Sequence, residues 1–230
     1  MIDLEIKKLS WDSAFFGYEI GKYNFKKFIT IDHQLNFIKK SSFHLVQLFS
    51  NHKLDSIHNL IPIDVKYTFT KKVSETPMSI SQVKSTRIDE NGALFKLALQ
   101  AGELSRFKRD KKLNSKFKEM YKIWINKSLK RELASDVFIY TNQKKIFGLV
   151  TVKKETKKAK IGLIAVDEKS QNMGIGSKLI QSIDYWAHKK NLTEINVTTQ
   201  MQNEQACEFY IKNNFELSDK TYVYHFWKNL

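Results

Sequence analysis

Residues 164–177 read IAVDEKSQNMGIGS, and their order of apolar, polar and glycine residues is the most informative pattern in the chain. An apolar segment ends at Val166, a polar loop with two glycines follows, and an amphipathic segment begins near Gly174. The pattern predicts a strand, a loop and a helix in that order. Backbone N–H groups in the first turn of a helix lack partners inside it and carry the positive end of its dipole. Since glycine lets a ligand approach the backbone closely, the unit predicts a cradle for a pyrophosphate.

Two common phosphate-binding fingerprints do not fit this loop. The dinucleotide pattern G-x-G-x-x-G needs a third glycine, which does not follow Gly176 at that spacing, and the P-loop pattern also fails. What the loop contains is Gln171-x-x-Gly174-x-Gly176 after a strand that ends in Ile-Ala-Val. A plainer alternative is that the two glycines only shape the start of a helix.

The segments around this loop alternate in a definite order. Periodicity predicts strands at 83–88, 137–140, 146–153, 159–166, 192–199 and 221–227, and helices at 91–104, 115–133, from 174, and at 204–212. Helical crossovers between the later strands predict parallel pairing in an α/β sheet. The N-terminal segment reads as a smaller mixed unit, with strands at 2–9, 17–25, 43–49 and 64–71 and helices at 32–40 and 55–60. The connecting composition of 73–79 predicts two domains, residues 1–75 and residues 76–230.

The loop and the residues after it resemble a known family. Gln171-x-x-Gly174-x-Gly176 is similar to motif A of the GNAT superfamily of N-acetyltransferases, and residues 203–215 resemble its pattern N-x-x-A-x-x-x-Y-x-x-x-G-F. Asn214 replaces the glycine of that pattern, and asparagine also adopts the left-handed conformation that a helix end needs. The resemblance implies the acyl-CoA N-acyltransferase fold, an α/β (α+β) mixed sheet, with acetyl-CoA as co-substrate.

A narrower resemblance involves both segments of the chain. Within the superfamily, the sequence looks like the dTDP-fucosamine acetyltransferases, which acetylate a 4-amino-4,6-dideoxy sugar on a dTDP carrier. The similar stretches are 9–17, 105–107, 161–165, 185–187, 197–203 and 222–227. This resemblance implies N-acetylation of a nucleotide-linked amino sugar for surface-polysaccharide biosynthesis. Acetylation of a protein N-terminus, a lysine or another small amine is the alternative.

The resemblance also implies roles for particular residues. The backbone of 164–166 would pair with pantetheine, the Val166 N–H would support the developing oxyanion, 171–177 would hold the pyrophosphate, and Asn203 would bind the pantetheine arm. The implied cofactor-binding residues are Ile164, Ala165, Val166, Gln171, Asn172, Met173, Gly174, Ile175, Gly176, Ser177 and Asn203.

Tyr210 is the candidate general acid. It lies seven residues after Asn203, about two helical turns, so both side chains project from one face. A phenol with a pKa near 10 can protonate a leaving thiolate. The alternative is an aromatic core residue beside Phe209.

Other catalytic side chains are less well defined by the sequence. No general base is visible on the strand before the loop, and Glu103, His188 and His225 stay unranked candidates. Cys207 has no basic neighbour in sequence to favour a thiolate, so we expect an inert thiol and direct transfer in a ternary complex. Trp11, Phe15, Phe16 and Arg106 are candidates for lining an acceptor site between the two segments, and ordinary core packing is the alternative for the aromatics.

Charge and composition limit the partners. The net charge is +15, and residues 106–131 alone hold 11 basic and two acidic residues. Apolar residues recur at helical spacing in that stretch, so it reads either as a lysine-rich helix or as a site for an anionic small molecule. No motif supports nucleic-acid binding, and no apolar run is long enough to span a membrane. One cysteine excludes a disulfide within the chain and a cysteine-based zinc site, so we expect no metal and a cytoplasmic location, and we leave a homodimer open.

Overall fold

The computed structural model describes residues 4–54, 60–89, 92–143 and 145–228. By backbone contacts the chain forms two compact units, here called the first unit (1–66 with 220–230) and the second unit (67–219). Residues 220–230 thus belong to the same compact unit as the N-terminal residues. The division into domains 1–75 and 76–230 stays a prediction.

Ten strands and seven α-helices are present among the described residues, besides two short 3-10 helices, Asn114–Lys116 and Glu168–Ser170. The strands are β1 (Lys7–Lys8), β2 (Ile20–Asn24), β3 (Leu45–Ser50), β4 (Asp64–Lys72), β5 (Val83–Ser85), β6 (Asp136–Asn142), β7 (Lys145–Glu155), β8 (Lys158–Val166), β9 (Glu194–Gln200) and β10 (Glu216–Trp227). The helices are α1 (Ser10–Phe16), α2 (Ile31–Lys40), α3 (Ala93–Gly102), α4 (Arg106–Arg109), α5 (Phe117–Leu129), α6 (Ile175–Lys189) and α7 (Glu204–Lys212).

The first unit contains strands in the order β1-β2-β3-β10. β2 and β3 are parallel because α2 crosses between them, and β10 runs antiparallel to β3. Its core includes Tyr23, Ile38 and Tyr224, and the Tyr23 hydroxyl donates to Gln34 Oε1 at 2.8 Å. The periodicity of the sequence does not predict α1, and the strand predicted at 2–9 is confined to Lys7–Lys8 in the described part. Of the helix predicted at 55–60, residues 55–59 lie outside the described residues.

The second unit carries the strand order β4-β9-β8-β7-β6-β5. The mixed α/β sheet confirms the predicted fold class, but the parallel pairing expected among the later strands holds only for β8 and β9. β7 and β8 are antiparallel since a two-residue turn at 156–157 joins them, as the charged run there predicts. Between β8 and β9, by contrast, the chain crosses over through α6, which lets β9 run parallel to β8.

Helix α6 packs on this sheet through one apolar stripe. Leu179, Ile180, Ile183 and Ala187 are buried in the core of the second unit, as their three- and four-residue spacing predicts. This packing fixes the N-terminal turn of α6 next to the end of β8.

Candidate active site

The edge of β8 loses its neighbour before the strand ends. The parallel ladder between β8 and β9 ends at the pair Ile161 and Val197, while the antiparallel ladder with β7 continues to Val166 opposite Gly148. Residues 162–166 therefore keep a paired side toward β7 and have no ladder partner on β9.

Strand alternation gives the direction of the backbone groups on that edge. The Asp167 N–H donates to the Phe147 carbonyl at 2.8 Å, and this pair continues the register of Gly148 with Val166. Because hydrogen-bonded and non-hydrogen-bonded pairs alternate in an antiparallel ladder, Val166 is in a non-hydrogen-bonded pair. Its N–H, and that of Ile164, therefore points away from β7, toward the open edge.

A bulge in β8 sets this alternation. Val150 pairs with Ile164 and Val152 with Ile161, so two residues of β8, Gly162 and Leu163, lie opposite Thr151 alone. The Leu163 N–H donates to Thr151 Oγ1 at 2.8 Å. A Cβ on Gly162 would lie 2.9 Å from that same oxygen, so glycine is the residue that fits there.

The loop after β8 is open and leads into a bare helix N-terminus. Residues 172–174 are exposed, and Asn172 and Gly174 both have positive φ, 61° and 74°. The Lys178 N–H donates to the Gly174 carbonyl as the first bond of α6, so the N–H groups of 175–177 lack partners within the helix. No acidic residue lies in this first turn, which leaves its positive dipole end uncompensated and suited to a phosphate.

Helix α7 lies against this cradle. A Cβ on Gly176 would come within 2.8 Å of the Phe209 ring, so the absence of a side chain lets α6 and α7 approach closely. The Gln205 amide on α7 donates to Gln171 Oε1 at 3.2 Å. These contacts bring the predicted residues at 171–177 together with the helix that carries Tyr210.

Two glutamines converge on the end of β8. Gln100 Nε2 on α3 donates to the Val166 carbonyl at 2.8 Å, and Gln171 Nε2 donates to the same oxygen at 3.4 Å. The Gln171 side chain thus turns back toward the end of the strand. Sequence reasoning missed Gln100, because nothing local marks a residue that bonds 66 positions further along the chain.

Asn203 caps helix α7. Its Oδ1 accepts from the Ala206 N–H at 3.1 Å, as an N-cap residue does. The capping bond uses the oxygen and leaves the amide N–H₂ as the group that can donate to pantetheine. The predicted cofactor role of Asn203 therefore rests on that group.

Tyr210 is buried among aromatic rings. Its side chain is 3% exposed, and its ring lies 5.6 Å from Phe69, 5.3 Å from Phe209 and 5.6 Å from Phe215, centroid to centroid. Desolvation by this burial, with a smaller effect of Cys207, raises the pKa of the Tyr210 hydroxyl well above its usual 10. The ring is a core residue, so a catalytic role depends on the hydroxyl alone.

The thiol of Cys207 is not activated. Burial raises its pKa, and the nearby Glu204 carboxylate raises it further, while its own backbone hydrogen bond acts in the opposite direction. The sulfur lies 3.8 Å from the Gln200 carbonyl oxygen. Both observations agree with the expectation of an inert packing thiol.

The three base candidates differ in position. The Glu103 side chain is 54% exposed at the end of α3, with an oxygen 3.6 Å from Lys108 Nζ. His188 lies in the last turn of α6, far along the helix from the cradle at 174–177. His225 belongs to the first unit. None is brought to the open edge of β8 by a contact that the structure gives, and the general base stays unassigned.

The acceptor-lining candidates fall in both units. In the first unit Trp11 stacks on Phe15 at 4.9 Å, and Phe16 is buried with 6% exposure, which agrees with core packing for Phe16. In the second unit the Arg106 guanidinium lies 4.3 Å from the centre of the Phe107 ring. Their role toward an acceptor stays a prediction.

The described ranges hold neither a cluster of metal-ligating side chains nor a helix that could span a membrane. Residues 4–54, 60–89, 92–143 and 145–228 contain no group of three or more His, Cys, Asp or Glu side chains arranged to hold a metal ion. In the same part of the chain, every helix is too short or too polar to cross a bilayer.

A known family of group-transfer enzymes matches the part of the chain that holds the site. Residues 102–215 match the model of the acetyltransferase (GNAT) family. A comparison with curated protein sequences finds no match.

Solved structures share the fold at low identity. A functionally unknown conserved protein from Staphylococcus epidermidis is 16% identical with a TM-score of 0.62, over 100% of this chain and 96% of that one. A GNAT acetyltransferase from Sphaerobacter thermophilus is 14% identical with a TM-score of 0.52, over 80% of this chain and only 59% of that one. The PaiA N-acetyltransferase of Thermoplasma acidophilum, solved with coenzyme A, is 16% identical with a TM-score of 0.50, over 64% of this chain and 99% of that one.

The class that the family model indicates is that of the acetyl-CoA-dependent N-acetyltransferases. The matched part of the chain, residues 102–215, includes the loop at 171–176 whose pattern predicts the GNAT superfamily.

Proposed function

We propose that this enzyme transfers the acetyl group of acetyl-CoA to the amine of a nucleotide-linked amino-deoxy sugar, a dTDP-4-amino-4,6-dideoxyhexose, in surface-polysaccharide biosynthesis. The observation that supports acetyl transfer at this site is the open edge of β8 beyond Ile161, where the Val166 N–H points away from β7. The finer choice of acceptor rests on the sequence resemblance and on the charge of the chain.

The residues present fit a bound acetyl-CoA. The N–H groups at the start of α6, where no acidic residue lies in the first turn, would donate to the pyrophosphate oxygens. The edge at 164–166, which has no ladder partner on β9, would offer backbone groups to the pantetheine amides, as one strand does to another. The Asn203 amide would donate to the same arm.

The chemistry divides among few groups of the chain. Acetyl-CoA supplies an acetyl group activated as a thioester. The Val166 N–H donates to the carbonyl oxygen as negative charge develops there, while the acceptor nitrogen forms its bond to the acetyl carbon and the carbon–sulfur bond breaks. The Tyr210 hydroxyl then gives its proton to the departing sulfur. The amine loses its own proton to water or to a side chain that the sequence does not identify.

The charge of the second unit favours an anionic acceptor. Exposed cationic side chains crowd the region from α4 to α5, among them Arg109, Lys111, Lys118, Lys122 and Lys130. Such a surface attracts a nucleoside diphosphate and repels polyamines and basic peptides. A protein N-terminus or a lysine is therefore the second choice, and nucleic acid and membrane insertion have no part in the proposal. We place the reaction in the cytoplasm and leave the homodimer open.

The test is a thiol-release assay with matched acceptors. The panel holds a dTDP-4-amino-4,6-dideoxyhexose, the same sugar without its nucleotide, a UDP-linked amino sugar, spermidine, and peptides with a free N-terminus or lysine. We expect the nucleotide-linked sugars to give the highest kcat/KM and the dTDP-linked sugar to lead. The Tyr210→Phe variant serves as the background, because it should still bind acetyl-CoA.

Two results would reject the acceptor class. One is an absence of turnover with every nucleotide amino sugar while a peptide or polyamine is acetylated. The other is an equal kcat/KM for the sugar with and without its nucleotide, since the proposal assigns recognition to the diphosphate.

A further inference from the structure

We infer that Gln100 is a positioning residue of the acetyl-transfer site, which fixes the last peptide of β8 so that the Val166 N–H keeps its direction toward the substrate carbonyl. The inference rests on the proposed function, because it concerns the donor that function assigns. Gln100 lies outside the loop and the helix that carry the family motifs.

The peptide between Val166 and Asp167 is held at both of its polar groups. Its N–H, on Asp167, donates to the Phe147 carbonyl at 2.8 Å. Its carbonyl, on Val166, accepts from Gln100 at 2.8 Å. With both ends of one peptide plane fixed, rotation about the bonds of Val166 is restricted, and so is the direction of the N–H on its other side.

Gln100 makes the stronger of the two bonds to this carbonyl. The Gln171 amide reaches the same oxygen only at 3.4 Å, near the limit of a useful hydrogen bond, and its own oxygen is engaged by Gln205. Gln171 also lies in the exposed loop that a pyrophosphate would contact. The bond from α3 is therefore the one that can hold the peptide independently of the loop.

The location of Gln100 makes the hold rigid. α3 is anchored by the buried side chains of Leu94, Leu97 and Ala98, and Gln100 itself is half-buried. A donor on a packed helix is more stationary than one on a loop, which is what a preorganised oxyanion donor needs. A neutral amide also donates without placing a charge beside the reacting carbonyl.

The experiment removes the donor and keeps the side-chain length. In Gln100→Met we expect kcat to fall about 10- to 100-fold, less than the roughly 100- to 1,000-fold that follows loss of an oxyanion donor itself. KM for acetyl-CoA and the Kd of CoA should stay within about twofold, because the pyrophosphate cradle is untouched. Gln100→Glu keeps size and polarity but has no proton to donate at neutral pH, so its loss should match or exceed that of the Met variant.

The control is Lys96→Leu, one turn earlier on α3 at an exposed position, which should keep kcat. The second readout is amide hydrogen exchange of Asp167 in the enzyme without ligand, which should be faster in both Gln100 variants and unchanged in the control. This readout needs no acceptor, so it decides the inference even if the proposed acceptor class is rejected.

Either of two results would overturn the inference. The first is a wild-type kcat in Gln100→Met together with unchanged exchange at Asp167. The second is a loss of kcat that Lys96→Leu shares, or that comes with an equal weakening of CoA binding, since both describe a general disturbance of α3 and not a positioned peptide.

Discussion

Tyr210 has a buried ring, and its hydroxyl is the proposed general acid. Three aromatic neighbours hold the ring, so removal of the hydroxyl alone leaves the packing intact. In Tyr210→Phe we expect kcat to fall about 100-fold or more, with KM for acetyl-CoA little changed. Steady-state kinetics of the variant and the wild type measure kcat and KM separately. Tyr185→Phe, which removes a half-buried hydroxyl from α6, is the control, and near-normal turnover in Tyr210→Phe would place the acid elsewhere.

The raised pKa of Tyr210 also predicts a pH dependence of stability. In the unfolded chain this phenol ionises above a pKa of about 10, whereas the folded chain keeps its proton. The unfolded state is then favoured as pH rises above about 10, and the free energy of unfolding falls by about 1.4 kcal/mol per pH unit for this group. Tyr210→Phe should show a shallower decline than the wild type in denaturant titrations over that range. Equal slopes would contradict the assignment of the burial effect to Tyr210.

At the scale of the element, the bulge in β8 depends on one hydroxyl. Thr151 is 3% exposed, and its Oγ1 accepts the Leu163 N–H. Thr151→Val replaces that acceptor with a methyl group and should cost about 1–3 kcal/mol in the free energy of unfolding. It should also lower kcat, because the bulge sets which amides face the open edge. Thr151→Ser keeps the hydroxyl, so its kcat should stay near the wild-type value, and an equal loss in both variants would contradict the mechanism.

In the second unit, the helices and strands could be predicted from the sequence, whereas the contacts between distant residues could not. α6 and α7 could be predicted because buried residues such as Leu179 and Ile183 recur at helical spacing. The bulge at Gly162, by contrast, exists only through its partner Thr151 on the next strand. The bond from Gln100 to Val166 likewise joins distant positions, and a single sequence carries no periodic signal for such a bond.

In the first unit, a short helix could not be predicted from the sequence. α1 was not predicted, because its seven residues, SWDSAFF, are too few to repeat an apolar face. A left-handed Gly17 ends the helix, and the Ser13 hydroxyl accepts the Ile20 N–H at 2.9 Å, which ties the helix to the strand after it. Contacts of this kind stabilise short helices whose own periodicity is uninformative.

At the scale of the whole molecule, the net charge of +15 should appear in the kinetics. Added salt screens attraction over a Debye length of about 10 Å at 0.1 M, so KM for a dTDP-linked amino sugar should rise with KCl. KM for the same sugar without its nucleotide should stay constant or fall, because only its cationic amine then meets the positive surface. Parallel salt dependence for the two acceptors would show that the charge does not act on the diphosphate.

The extra residue that β8 carries at 162–163 works as a phase shift between two halves of one strand. Before the bulge, the Lys157 carbonyl accepts from the Thr193 N–H, so the backbone N–H and C=O groups of odd-numbered residues in β8 point toward β9. After the bulge, those of the even-numbered Ile164 and Val166 point to that side. Without the bulge, regular alternation through the same residues would turn the amides of Leu163 and Ala165 toward the open edge in place of those of Ile164 and Val166. The bulge therefore determines which amide donates to the substrate carbonyl: its loss by regular pleating of the same residues would replace the Val166 N–H, whereas deletion of Gly162 would remove the bulge and leave Val166 facing the edge.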